Sequence, residues 1–205
     1  MSGLTGYIIT VFMGFVAIMN PILSISAFLD LTEDKTYKEK KQIAKTASIA
    51  AWLIVVVFVV GGKYIFDMFD ITIPAFKIAG GILVFYVGFE MLTSNKSSVH
   101  NTPVKGENSN VAISPLAIPI LSGPGTIVTA MNFVTKTDYL HLTIVVVIFT
   151  IMIVITYYCF LLSDVIMKKL GRNLMAVITK LMGLILAILG TEVVTEGIKL
   201  TFHLK

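Results

Sequence analysis

Residues 4–29 carry no charged side chain, yet Asn20-Pro21 interrupts the run. Those two facts together restrict the fold more than any other feature of the chain. Proline lacks a backbone N–H and clashes with the carbonyl four residues earlier, so a helix passing position 21 must kink or stop. An apolar run of this length reads as a membrane span. Carried through to Leu31 it would be about 42 Å long at 1.5 Å per residue, more than the ~30 Å hydrocarbon layer requires. A helix broken inside the bilayer reconciles the length with the proline.

The rest of the chain agrees. Of 205 residues, 56% are hydrophobic and 14% are charged, against about 25% charged in soluble domains. A chain of this size with so few charges cannot cover a water-facing surface, so an all-α integral membrane protein is expected. The formal charge of +4 lies largely in the loops and gives no reason to expect a nucleic-acid partner. The one cysteine, Cys159, excludes an internal disulfide and a cysteine metal cluster. No metal or cofactor is expected. The N-terminus lacks the basic start of a cleavable signal peptide.

Six apolar segments are long enough to span: 4–31, 43–62, 73–92, 112–134, 140–162 and 173–197. The fourth contains Pro115, Pro119 and Gly123-Pro124-Gly125, so a second broken helix is expected there. Loops after the first, third and fifth segments hold nine lysines and arginines, against four on the other side. The basic side faces the cytoplasm, which places both termini outside a plasma (inner) membrane. The polar stretch 94–110 (SNKSSVHNTPVKGENSN) reads as a linker between a first half, 1–93, and a second, 111–205.

The two halves can be superimposed along the chain. A shift of 103 places Pro21 on Pro124, Lys77 on Lys180 and Gly80 on Gly183. The run Lys77-Ile78-Ala79-Gly80-Gly81-Ile82-Leu83 then lies over Lys180-Leu181-Met182-Gly183-Leu184-Ile185-Leu186. Three spans per half is an odd number, so the second half enters from the opposite side. The expected architecture is six transmembrane helices in two inverted three-helix repeats, with helices 1 and 4 broken at mid-membrane.

The breaks are the candidate site. Each frees backbone groups that lipid cannot satisfy, and the half-helices starting at Pro21 and Pro124 point positive N-termini at the membrane centre. Two such ends suit a carboxylate. Carbonyls around Ile18–Met19 and Ile120–Leu121 suit an ammonium group, so a zwitterionic amino acid fits the chemistry. The candidate binding residues are Asn20, Pro21, Ser24, Ser122, Gly123, Pro124, Gly125 and Thr126, with Thr129 nearby; glycines at 123 and 125 leave room only for a small side chain. Lys77 and Lys180 are candidate gating or bracing charges. The plain alternatives are a structural proline kink, serines used for helix packing, and lysines that snorkel to the interface. No carboxylate lies deep in segments 1, 2, 4 or 5, so coupling to H⁺ or Na⁺ would need carbonyls, hydroxyls or the substrate's own charge.

With Asn20-Pro21, Phe28-Leu29-Asp30-Leu31-Thr32, Ala75-Phe76-Lys77-Ile78-Ala79-Gly80-Gly81-Ile82-Leu83 and Pro115-Leu116-Ala117-Ile118-Pro119-Ile120-Leu121-Ser122-Gly123-Pro124-Gly125, the chain resembles the MarC family of bacterial and archaeal inner-membrane proteins over nearly its whole length. The resemblance implies six spans and transport of small neutral amino acids such as glycine and alanine. Lys77 departs from the arginine that the family pattern implies there, keeping the charge but losing a bidentate grip on a carboxylate. The leading expectation is therefore a secondary transporter of glycine- or alanine-like substrates, working by alternating access, not an enzyme, with membrane lipid and further copies of the chain in a homo-oligomer as the candidate partners. The alternatives are a passive channel or membrane scaffold and, with least support, an intramembrane serine–lysine hydrolase, for which no nucleophile motif is present.

Overall fold

A computed structural model describes residues 3–93, 116–117, 121–134 and 139–203. The linker 94–110 lies outside them, as do Pro115 and Pro119. Every regular element among the described residues is helical: α1 (Leu4–Met19), α2 (Pro21–Leu31), α3 (Tyr37–Phe69), α4 (Ile73–Thr93), α5 (Pro124–Phe133), α6 (Tyr139–Leu161) and α7 (Ser163–Phe202).

Five stretches are long and apolar enough to cross a membrane: Leu4–Leu31, Tyr37–Gly62, Ile73–Thr93, Tyr139–Leu161 and Asn173–Phe202. They match five of the six expected spans. The sixth, 112–134, is described only at 116–117 and from Leu121 onward, where α5 is 10 residues long. At 1.5 Å per residue α5 is about 15 Å, half a hydrocarbon layer.

Local signals set the helix limits. Thr36 caps α3 through a capping box, in which its hydroxyl accepts the Glu39 N–H while the Glu39 carboxylate accepts the Thr36 N–H at 2.8 Å. Asp70 closes α3 in the left-handed conformation (φ 52°). Pro74 falls in the first turn of α4, where proline is tolerated. Within α7, Gly171 has φ 69° and ψ 163°, which bends the helix between a short opening stretch and the membrane span that begins at Asn173.

Packing turns on two interfaces. The first joins α1, α2, α3 and α6: Phe15 lies against Phe149 with ring centroids 5.3 Å apart, Phe28 stacks on Phe160 at 4.6 Å, and the Trp52 indole donates to the Thr150 hydroxyl at 2.8 Å. The second is an antiparallel seam between α4 and α7. Its contact residues recur every seven positions: Gly183, Gly190 and Gly197 on α7 meet Gly88, Gly81 and Pro74 on α4. A Cβ on Gly81 would stand 2.7 Å from the Gly190 carbonyl oxygen, and one on Gly88 would stand 2.6 Å from the Gly183 carbonyl oxygen. The two backbones touch, and only hydrogen fits between them. Small residues are what let membrane helices approach this closely.

Candidate functional site

Two helix starts make the site. Asn20 ends α1 in the left-handed region (φ 36°, ψ 72°), with its N–H donating to the Val16 carbonyl at 3.1 Å. Proline disfavours helical geometry in the residue before it, and asparagine tolerates the left-handed region better than most residues. The pair thus stops one helix and starts another. Pro21 takes the first position of α2, where its missing N–H leaves no bond unmade. The Asn20 carbonyl accepts the Ser24 N–H at 3.1 Å, so the N–H groups of Ile22 and Leu23 have no carbonyl of their own helix to meet.

The second start repeats this design at the same offset. Gly123 is extended (φ −64°, ψ 168°), Pro124 is the first residue of α5, and the Gly123 carbonyl accepts the Ile127 N–H at 3.1 Å. The N–H groups of Gly125 and Thr126 are left at the helix end. Each start carries the positive pole of its helix.

The serines do a different job from simple lining. The Ser24 hydroxyl donates to the Met19 carbonyl at 3.0 Å. The Ala117 carbonyl accepts both the Ser122 hydroxyl and the Ser122 N–H, each at 2.9 Å. Both hydroxyl protons are committed to backbone freed by the breaks. What each serine oxygen can still offer is its lone pairs, and these suit a cationic partner.

The breaks adjoin in space. Ile18, two residues before the first break centre, packs on Gly125: a Cβ there would meet Ile18 Cδ1 at 3.0 Å and Cγ1 at 3.6 Å. Helix α4 backs the junction, with Val87 at 3.9 Å from that same point and Val128 of α5 pressed onto Gly80. Ala17, Val84, Val128 and Leu186 form a buried apolar wall beside it. Of the residues expected to bind, Asn20, Pro21, Ser24, Ser122, Gly123, Gly125 and Thr126 are buried, as is Thr129; Pro124 is exposed. Ile118 and Ile120 lie outside the described residues.

The repeat-related lysines have unlike surroundings. Lys77 is 4% exposed and its Nζ lies 2.6 Å from Glu196 Oε1, whereas Lys180 is exposed. Snorkelling therefore does not describe Lys77. The glycines one turn further along α4 draw α7 to backbone contact, which brings Glu196 within reach of an amine that would otherwise leave the protein. The half-exposed carboxylate of Glu196 is the partner that holds it.

A model of the MarC family, described as an integral membrane protein family, matches residues 5–202. The UPF0056 membrane protein YvbG of Bacillus subtilis is 38% identical over 199 residues, covering 94% of each chain. A membrane protein of Pyrococcus horikoshii is 38% identical over 190 residues, covering 92% of each. The inner membrane protein MarC of Escherichia coli is 29% identical over 194 residues, covering 87% of this chain and 88% of its own. No solved structure matches significantly.

Proposed function

The chain belongs to the MarC family of integral membrane proteins, which has bacterial and archaeal members, and from that premise we propose that it is a secondary transporter of small neutral amino acids. The observation that carries this reading is the adjacency of two proline-led helix starts, with Ile18 of one break packed on Gly125 of the other. The backbone N–H groups of the two first turns, at Ile22–Leu23 and Gly125–Thr126, have no carbonyl of their own helix to meet and suit a carboxylate. The serine oxygens at positions 24 and 122, their protons already given to carbonyls, suit an ammonium group. Ile18, Ala17 and Val128 leave little space for a side chain, which favours glycine or alanine.

Two facts support an inverted repeat behind this site. The offset of 103 maps Asn20 and Ser24 onto Gly123 and Ile127, and both pairs make the same 3.1 Å capping bond. It also maps Lys77–Gly80 of α4 onto Lys180–Gly183 of α7, and those two helices run antiparallel in contact. Alternating access then follows from rocking of one half against the other around the junction. The excess of basic residues on one side supports a plasma-membrane orientation with both termini outside.

The test is uptake of radiolabelled glycine or alanine into proteoliposomes, with and without pH and Na⁺ gradients. Saturable uptake, competed by other small amino acids, is expected. Gly125→Leu drives a branched side chain into Ile18 and should abolish uptake while the protein still inserts and elutes as a single species. No substrate-dependent uptake in the unaltered protein sinks the transport reading. Non-saturable flux would point instead to a passive pore.

A further inference from the structure

One face of α3 passes from apolar to basic without leaving the surface. Ile49, Leu53, Val57 and Val60 are 49%, 51%, 61% and 54% exposed, as expected of residues that meet acyl chains. Toward the start of the helix the same face continues as Lys45, Lys41 and Lys38, all exposed. Four residues advance a helix by about 6 Å, so the lysines follow the lipid-facing residues at successive turns, where headgroups begin.

A second element lies at this end. Lys40 Nζ is 3.9 Å from Asp164 Oδ2, which ties the start of α3 to the opening stretch of α7, residues 163–170, ahead of the Gly171 bend. Leu162 and Val165 are 52% and 50% exposed there, beside exposed Lys168 and Lys169. A short helix with exposed apolar residues and lysines, bent away from the span that follows, has the make-up of one lying in the membrane interface. Acidic groups are present too: Glu39 is held by its Thr36 cap and Asp164 faces Lys40, while Asp30, Glu33 and Asp34 are exposed in or beside the turn after α2. None of them falls on the Lys38-Lys41-Lys45 stripe.

We propose that Lys38, Lys41 and Lys45 form a binding site for the glycerophosphate headgroup of an anionic phospholipid whose acyl chains lie along Ile49 and Leu53, with Lys168 and Lys169 extending the same basic collar. An ammonium at the end of a four-carbon stem reaches along the helix to a phosphate while its stem covers apolar surface. The inference rests on the membrane spans and not on the transport reading, so failed uptake would leave it standing.

Native mass spectrometry of the delipidated protein in detergent tests it, by titration with phosphatidylglycerol and, separately, with phosphatidylcholine of the same acyl chains. Each lysine near an anionic headgroup contributes about a fivefold preference, so the protein should favour phosphatidylglycerol by at least about tenfold. Lys41→Gln with Lys45→Gln should remove most of that preference and leave phosphatidylcholine binding unchanged, which also checks the fold. Lys41→Arg with Lys45→Arg should keep it, as should Lys199→Gln at the far end of α7. Equal affinity for the two lipids overturns the proposal, and so does a preference indifferent to the glutamine variants. Displacement of bound phosphatidylglycerol by millimolar glycerol 3-phosphate would also overturn it, since the lysines would then take any phosphate rather than a membrane lipid.

Discussion

Replacing Gly81 with alanine adds one methyl group to the centre of the α4–α7 seam. The new Cβ would lie 2.7 Å from the Gly190 carbonyl oxygen, 2.7 Å from the Val194 nitrogen and 2.7 Å from Val194 Cγ2. Two of these are backbone atoms of a helix, so no rotamer change relieves them. Ordinary contact begins at 3.4 Å, so the helices must part by about 0.7 Å. A gap of that order forfeits about a quarter to a half of each dispersion contact along the interface. Overpacking in a filled core costs about 1–3 kcal/mol, and that is the destabilisation expected here. Gly61→Ala supplies the control, because nothing lies within 4 Å of a Cβ at Gly61. There, removing a glycine from a helix interior should stabilise the protein, by up to about 1 kcal/mol. Thermal unfolding of both variants in the same detergent, followed by loss of the monodisperse elution peak, compares the two. Opposite shifts in melting temperature are the expected result. If Gly81→Ala melts with Gly61→Ala, the backbones do not touch and the seam is wrong.

Two further outcomes follow from individual residues. Asn20→Val should be less stable than Asn20→Gly by about 1–2 kcal/mol, because both lose the amide but only valine resists the left-handed backbone; equal melting temperatures would mean that the bend does not depend on that conformation. Glu196→Gln should destabilise more than Lys77→Met. The first leaves a buried ammonium without its countercharge, at about 3–5 kcal/mol, while the second leaves a carboxylate that is already half-exposed; the reverse order of melting temperatures would place Lys77 outside the protein.

Five spans and both breaks were legible because each depends on local chemistry: unbroken apolar length, or a proline whose effect reaches only four residues back. The glycines of α4 and α7 were visible in the sequence as part of the repeat offset at Gly80 and Gly183. Their sevenfold spacing acquired meaning only when Gly81 met Gly190 and Gly88 met Gly183. For Lys77 a linear pattern left a bracing charge and a snorkelling one both open, and what separates them is Glu196, 119 positions away in sequence. Ser24 and Ser122 were legible as polar residues near a break, not as donors to the carbonyls that the break exposes. Nothing in a linear pattern distinguishes a hydroxyl that caps backbone from one that faces a ligand.

That distinction changes the chemistry open to the junction. A broken membrane helix leaves carbonyls at the end of one half and N–H groups at the start of the next. Here the Met19 and Ala117 carbonyls are met by serine hydroxyls within the chain, so they need no ligand. The N–H groups of Ile22, Leu23, Gly125 and Thr126 stand in the first turns of their helices, where no carbonyl of the same helix reaches them. On the proposed transport reading, the asymmetry would make the anionic half of a zwitterion the part that backbone recognises, and leave its ammonium to neutral oxygen atoms. Backbone N–H groups read a carboxylate without reading the side chain beside it. Discrimination among amino acids must then come from steric exclusion by Ile18, Ala17 and Val128 rather than from hydrogen bonds. Exclusion of that kind rejects large substrates well but separates neighbours differing by one methyl group only about 10- to 200-fold. A transporter built on this junction should therefore accept glycine and alanine together, and enlarging its space by Ile18→Ala should extend the range to larger neutral side chains before it weakens the hold on the carboxylate.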